Sequence, residues 1–224
     1  MGIPDRKTRE KEERKKRIID AAEDVIFSNG VERATMDDIA EKAELSKGTL
    51  YYYFKNKHDL YLAINNRGLS ILNQILARVI TEDRPGIELV RRLGEEYINF
   101  VREYPDYFNA MMDFESFEAA KDSEEIPMLK SCEKKGQEAF TYVVRALQIG
   151  MQDGTIDDQY APQFLAAQLW GNIRGITQLY HIKQKGHYLN FLEGIELDID
   201  EMYEGFLKLF IKGMQTSASG GENN

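Results

Sequence analysis

Among 224 residues there is one cysteine, Cys132, so no disulfide can form within the chain. No apolar run reaches the roughly 18 residues that a membrane-spanning helix needs, and no membrane partner is expected. The charged opening MGIPDRKTREKEERKK has no apolar segment behind it, which argues against a secretory signal. A soluble, cytoplasmic protein is the expectation. Histidine is scarce: His58, His181 and His187. The last two do not share a helix face and make a poor metal pair, while His58 lies where it can meet a phosphate. No glycine-rich phosphate loop and no His-Glu-x-x-His run occurs. This inventory points away from an enzyme and implies neither a metal nor another cofactor. Strand-type alternation of Val, Ile and Thr is missing too, as is any internal repeat.

What is present is helix. Hydrophobic residues make up 42 % of the chain, enough for a sizeable core, and apolar positions recur at helical spacing. Pro85, Pro105, Pro127 and Pro162 each precede or open an apolar-periodic stretch, where a missing N–H costs nothing. The reading is an all-α chain. A first helix runs to about Asn29 with Ile18, Ala22, Val25 and Ile26 as its buried stripe, and Asn29-Gly30 closes it. A long amphipathic helix starts at Lys57 and carries Leu60, Ala63, Ile64, Leu69, Leu72 and Ile75. Further helices are expected at 85–103, 105–119, 126–152, 161–185 and 198–215. Asp153 to Asp157 reads as a loop, and 217–224 as a disordered tail.

The net charge of −9 conflicts with nucleic-acid binding until it is mapped. Residues 1–59 carry 13 Lys/Arg and 13 Asp/Glu, whereas the remainder carries 16 and 25. The acidity sits entirely in the second part, and local charge at the contact surface governs phosphate binding. Residues 1–17 hold eight Lys/Arg against four Asp/Glu. They read equally as a solvated helix face laced with ion pairs or as a basic arm touching phosphates or a minor groove.

The informative stretch is TMDDIAEKAELSKGTLYYYFKNKHDL, from Thr35 to Leu60. Thr35 with Asp38 has the spacing of a capping box. Ile39, Ala40 and Ala43 form a short apolar stripe, Glu44-Leu45 makes a turn, and Ser46 caps a second short helix. Asn56 can cap the helix that begins at Lys57. An α-helix turns about 100° per residue. With Leu50 facing the core, Ser46, Tyr53 and Phe54 lie on its side. Gly48 and Tyr52 point the opposite way, with Thr49 and Tyr51 on the flanks. A glycine in a first helical turn costs roughly 1 kcal/mol against alanine, which makes sense where something bulky approaches the backbone. Lysines and tyrosine hydroxyls suit phosphates, and Thr49 suits a base edge or a thymine methyl. Read by themselves, Tyr51-Tyr52-Tyr53 also fit an aromatic core segment and Gly48 a helix-entry turn. Two helices joined by a short turn, with polar groups on the second helix's free face, favour the duplex reading.

IAEKAELSKGTLYYYFKNKHDL resembles the DNA-binding region of the TetR family of bacterial transcriptional repressors, its multidrug-sensing members especially. The resemblance covers about Arg17 to Leu62. Leu45 stands where the family more often has Val, and Glu44 where Gly is common. Glu44 adds a negative charge and removes a flexible turn residue, which is expected to tune affinity. The resemblance implies an N-terminal three-helix DNA-binding unit at 1–60 and a C-terminal ligand-binding and dimerisation domain at 61–216. It implies a homodimeric repressor on a palindromic double-stranded DNA operator, released by a small-molecule effector. It places the DNA contacts at Ser46, Lys47, Gly48, Thr49, Tyr51, Tyr52 and Lys57, with Thr35 on a phosphate.

Two further sets of residues attract attention. PDYFNAMMDFESFEAA, from Pro105, puts Tyr107, Phe108, Met111, Met112, Phe114 and Phe117 on several helix faces. They read as ordinary core, or as the wall of an apolar cavity in which methionine adapts to ligand shape. Tyr97, Phe100, Phe140, Tyr142 and Trp170 can complete such a wall for an apolar or aromatic ligand. Near the end, Leu169, Ile173 and Ile176 lie on one helix and Met202, Phe206, Leu209, Phe210 and Met214 on the next. Ala166, Ala167, Gly171 and Gly175 supply small residues for close helix approach. The stripes fit packing within one chain or a twofold four-helix interface. The resemblance favours the interface, because TetR-family proteins dimerise through their final two helices. An all-helical interaction scaffold without DNA is the remaining alternative.

Overall fold

The computed structural model describes residues 6–118, 127–184, 186, 194 and 198–215, side chains at 113–118 excepted. The expected tail at 217–224, His187, and the side chains of Phe114 and Phe117 lie outside the described residues. Among the described residues there are nine α-helices and no strand. They are α1 (Arg6–Asn29), α2 (Met36–Lys42), α3 (Lys47–Tyr53), α4 (Lys57–Val79), α5 (Gly86–Glu103), α6 (Pro105–Glu118), α7 (Pro127–Gln152), α8 (Pro162–Gln184) and α9 (Ile199–Met214). None is long and apolar enough to cross a membrane. The helix bounds follow local signals. Proline opens α6, α7 and α8, and Gly30 at φ +79° closes α1.

The chain divides into two compact bodies, Met1–Leu69 with Asp106–Glu133 and Ser70–Pro105 with Lys134–Asn224. In the first, the α1 stripe Ile18, Ala22, Val25 and Ile26 is buried with Ile39, Ala40, Leu50, Phe54, Leu60 and Ile64. Cys132 joins this core, its thiol donating to the Leu62 carbonyl at 3.6 Å. A polar brace ties α6 to α1 and α4. The Arg67 guanidinium donates to Asp20 at 2.7 Å and to Glu23 at 2.5 Å. The Tyr107 hydroxyl donates to the other Glu23 oxygen at 2.8 Å. The Tyr107 ring meets Phe27 edge-on, 5.4 Å between centroids, and lies over Gly68, where a Cβ would come 3.1 Å from it.

In the second body, α5 receives its N-terminal cap from elsewhere in the chain. Gly86 N–H donates to Asp153 at 2.7 Å and Ile87 N–H to Thr155 at 3.2 Å. The segment expected to be a plain loop thus satisfies two of the four orphan donors of a helix start. The capping end of α5 sits close on α7, because a Cβ at Gly86 would collide with the backbone of Gly150. Asp198 caps α9 by accepting from the N–H groups of Asp200 and Glu201. The inner face of α9 is Ile199, Tyr203, Leu207, Ile211 and Met214. Tyr203 packs on Gly94 of α5, and its buried hydroxyl has no partner among the described residues.

Candidate nucleic-acid interface

Helices α2 and α3 take their form from their own ends. Thr35 accepts from Asp38 N–H at 3.1 Å, while the Asp38 carboxylate accepts from Thr35 N–H at 3.1 Å and from its hydroxyl at 2.7 Å. The capping box is complete, and the Thr35 hydroxyl proton is already engaged. After α2, Glu44 takes the left-handed backbone at φ +54°, a conformation that suits glycine. Leu45 N–H then returns to Ala40 carbonyl at 2.9 Å, and the chain reverses into α3. Ser46 caps α3 by accepting from Thr49 N–H at 3.2 Å.

The exposed surface of α3 has the expected composition. Leu50 is fully buried and Phe54 nearly so, whereas Tyr52 is 74 % and Tyr51 49 % exposed. A Cβ added to Gly48 would meet nothing within 4 Å. Tyr52 stands edge-on to the half-buried Tyr53, with 5.3 Å between ring centroids. Ser46 departs from the expectation that it can be buried beside Leu50. It is exposed, because its hydroxyl serves the helix end and lies 2.8 Å from that of Thr49.

The two lysines among the candidates are not loose cations. Lys47 is paired with Asp37 at 2.6 Å, and that hydrogen bond raises its pKa above the ordinary lysine value. Asp37 escaped the sequence reading, although its place in the first turn of α2 puts it near any residue opening α3. Lys57 donates to the carbonyls of Glu32 at 3.2 Å and Ala34 at 3.0 Å. It straps the segment that leads into α2, and a phosphate has to compete for it.

Residues 18–64 match the profile of the bacterial regulatory proteins of the tetR family, a span that contains α2, α3 and the turn between them. An uncharacterized HTH-type transcriptional regulator of Haemophilus influenzae is 28 % identical over 105 residues, 47 % of this chain and 56 % of that protein. Over residues 18–64 the chain is similar to the TetR family. It spans about half the length of the curated relatives it matches. Among solved structures, FadR of Bacillus subtilis in complex with stearoyl-CoA superposes with a TM-score of 0.65. It is 19 % identical, over 89 % of this chain and 98 % of that one. The SmeT–triclosan complex superposes with the same TM-score, at 21 % identity over 92 % and 93 %; SmeT is a repressor of Stenotrophomonas maltophilia. These likenesses are of fold. This chain resembles proteins named as HTH-type transcriptional regulators. Among its described residues no group of three His, Cys, Asp or Glu is placed to hold a metal ion.

The residues proposed for an effector fall in both bodies. Phe108, Met111 and Met112 belong to the first, where Phe108 and Met112 are buried and Met111 packs against the core. Tyr97, Phe100 and Phe140 belong to the second. The Tyr97 hydroxyl is bonded to Thr177, and burial pushes its pKa up. Phe100 is buried and stacked on Tyr104 at 5.5 Å. Trp170 faces outward instead of lining an interior. It is 56 % exposed, with the Arg174 guanidinium 5.3 Å from its ring centroid.

The dimer candidates divide by burial. Leu169 and Met214 are buried within the single chain, whereas Ile173, Ile176, Phe206 and Phe210 are half-buried. The outer faces of α8 and α9 carry Phe164, Trp170 and Leu209, all exposed. A Cβ at Gly171 or Gly175 would meet nothing within 4 Å.

Proposed function

We propose that the chain is a cytoplasmic, ligand-responsive repressor that binds a palindromic DNA operator as a homodimer. One observation carries the DNA-binding part of this reading. The outward face of α3 is a bare glycine flanked by Tyr51, Tyr52, Thr49 and Lys47, with Leu50 anchoring the opposite side. The bare patch lets a duplex backbone or base edge approach α3 closely, while the hydroxyls and ammonium around it meet phosphates. Thr49 is the residue assigned to a base edge, and Ser46, Lys47, Tyr51, Tyr52 and Thr35 are assigned to phosphates.

Dimerisation is supported by the apolar outer faces of α8 and α9. Exposed Trp170, Leu209 and Phe164 stand beside the uncovered Gly171 and Gly175, a surface that a second copy can cover by twofold self-complementation. An apolar or aromatic effector is supported by the ligands named in the FadR and SmeT complexes. Such a compound changes DNA affinity only by binding the two conformations unequally.

The test is selection from a random duplex pool, followed by fluorescence anisotropy on the enriched site. The expected site has two inverted half-sites about 10 bp apart, or a multiple of that, bound with steep salt dependence. Triclosan and stearoyl-CoA are the first probes for release. No enrichment, and no retention on DNA at low salt, would overturn the proposal and leave the interaction scaffold.

A further inference from the structure

Helix α1 is longer than its buried part. Its first core residue is Ile18, and nearly all of Arg6–Arg17 is exposed, so about 18 Å of helix at 1.5 Å per residue stands clear of the core. The residues on this extension are not scattered. At about 100° per residue, Lys7, Lys11, Arg14 and Lys15 fall on the same face as Ile18, Ala21, Ala22 and Val25. The stripe that is apolar inside the body continues outside it as a row of cations. Glu12 and Glu13 lie on the other faces, and Glu10, at the edge of this one, is paired with Arg6 at 2.7 Å. Among the described residues none of Lys7, Lys11, Arg14 and Lys15 has an ion-pair or hydrogen-bond partner.

The row leaves the body beside the DNA-reading helices. The Arg17 guanidinium is 3.5 Å from the Ala43 carbonyl, at the C-cap of α2 where the chain turns toward α3. We propose that the Lys7, Lys11, Arg14 and Lys15 face of α1 is a second DNA-contacting surface, which grips the phosphates flanking the site read by α3. The occupant is argued from charge. A face with four unpaired cations, whose one bordering carboxylate, Glu10, is already paired with Arg6, suits a polyanion, and the helix that carries it reaches the turn leading into α3 through Arg17. From Lys7 to Lys15 is about 12 Å along the helix, long enough to track several phosphates of one strand, which rise about 3.4 Å each. The contacts carry no base specificity, so they extend and strengthen the footprint without changing the sequence read. This inference rests on the DNA-binding reading above.

The experiment uses the full chain and the selected site in two lengths, one trimmed to the half-sites and one with a further helical turn, about 10 bp, on each side. The wild type is expected to prefer the longer duplex at least about tenfold. The variant Lys7→Gln, Lys11→Gln, Arg14→Gln, Lys15→Gln is expected to lose that preference. Its salt slope should also fall, at about 0.9 per lost phosphate contact, by roughly 3 or more for a dimer. The variant Arg9→Gln, Lys16→Gln, on the opposite face, should keep the preference, and circular dichroism should show all three proteins equally helical. A quadruple variant with the wild-type slope and flank preference would overturn the inference, as would equal loss in the opposite-face variant. If the wild type binds no duplex at all, the DNA reading fails with it. If the wild type binds and the quadruple variant is unchanged, the flank contact alone fails.

Discussion

Lys47 and Asp37 face each other across the turn between α2 and α3, with 2.6 Å between ammonium and carboxylate. Both side chains are well exposed, so the pair contributes little to stability. On the DNA-binding reading proposed above, its consequence lies in binding, since a phosphate would have to displace Asp37 from Lys47. Asp37→Asn is expected to tighten binding to specific and random duplexes alike, by roughly threefold to tenfold, with a small change in Tm. Anisotropy titrations on both duplexes check this. Weaker binding to both would mean that Asp37 positions Lys47 for DNA instead of restraining it.

Gly48 separates stability from affinity. Alanine has open space at this position and should stabilise the fold by up to about 1 kcal/mol through helix propensity. The same methyl fills the bare patch on α3. Gly48→Ala should therefore raise the denaturation midpoint while weakening operator binding at least about tenfold. A variant that is both more stable and equally tight would show that no close approach occurs there.

Burial holds the Glu23 carboxyl above its ordinary 4.5, and it pushes the Tyr107 hydroxyl from an ordinary 10.0 up to about 12. For both groups the folded state disfavours the ionised form. Their contribution is complete below the ordinary value and is lost as pH rises through the folded one. Tyr107→Phe removes a hydrogen bond to a half-buried carboxylate and should cost about 1–2 kcal/mol at neutral pH. It should also remove part of the stability loss that the wild type suffers between pH 10.0 and about 12. Urea midpoints across that range, wild type against variant, decide it.

Tyr203 and Gly94 form a tight pair with an unusual sign. Removing the Tyr203 hydroxyl, buried and without a partner among the described residues, should stabilise the fold or leave it unchanged, because burying an unmet hydroxyl costs about 1–3 kcal/mol. Gly94→Ala should destabilise by about 1–3 kcal/mol, since a methyl there collides with that hydroxyl. Tyr203→Phe introduced into Gly94→Ala should recover part of the loss. Additive behaviour in the four-protein cycle would separate the two residues.

The helix starts and ends were legible because their causes are local. Thr35 with Asp38, Ser46, Asn56, Asn29-Gly30 and the prolines at α6, α7 and α8 each act within a few residues of the end they set. The exposed face of α3 was legible for a similar reason. Once Leu50 faces the core, the 3.6-residue turn places Gly48 and Tyr52 outward. Ser46 went astray because periodicity assigns it a direction, whereas a helix cap is set by hydrogen bonding.

What the sequence alone determined is the all-helical chain, the bounds of its helices and the face that α3 turns outward, since those follow from nearest neighbours and a fixed turn angle. Only the tertiary structure decided which of many similar groups meet. It chose Asp37 for Lys47, the Glu32 and Ala34 carbonyls for Lys57, Glu23 for both Arg67 and Tyr107, and Asp153 with Thr155 for the start of α5. It also turned Trp170 outward, away from any interior. These pairings join residues far apart in the chain. With 38 carboxylates and 29 Lys/Arg to choose from, composition and spacing leave the partner open until the backbone brings two of them within reach.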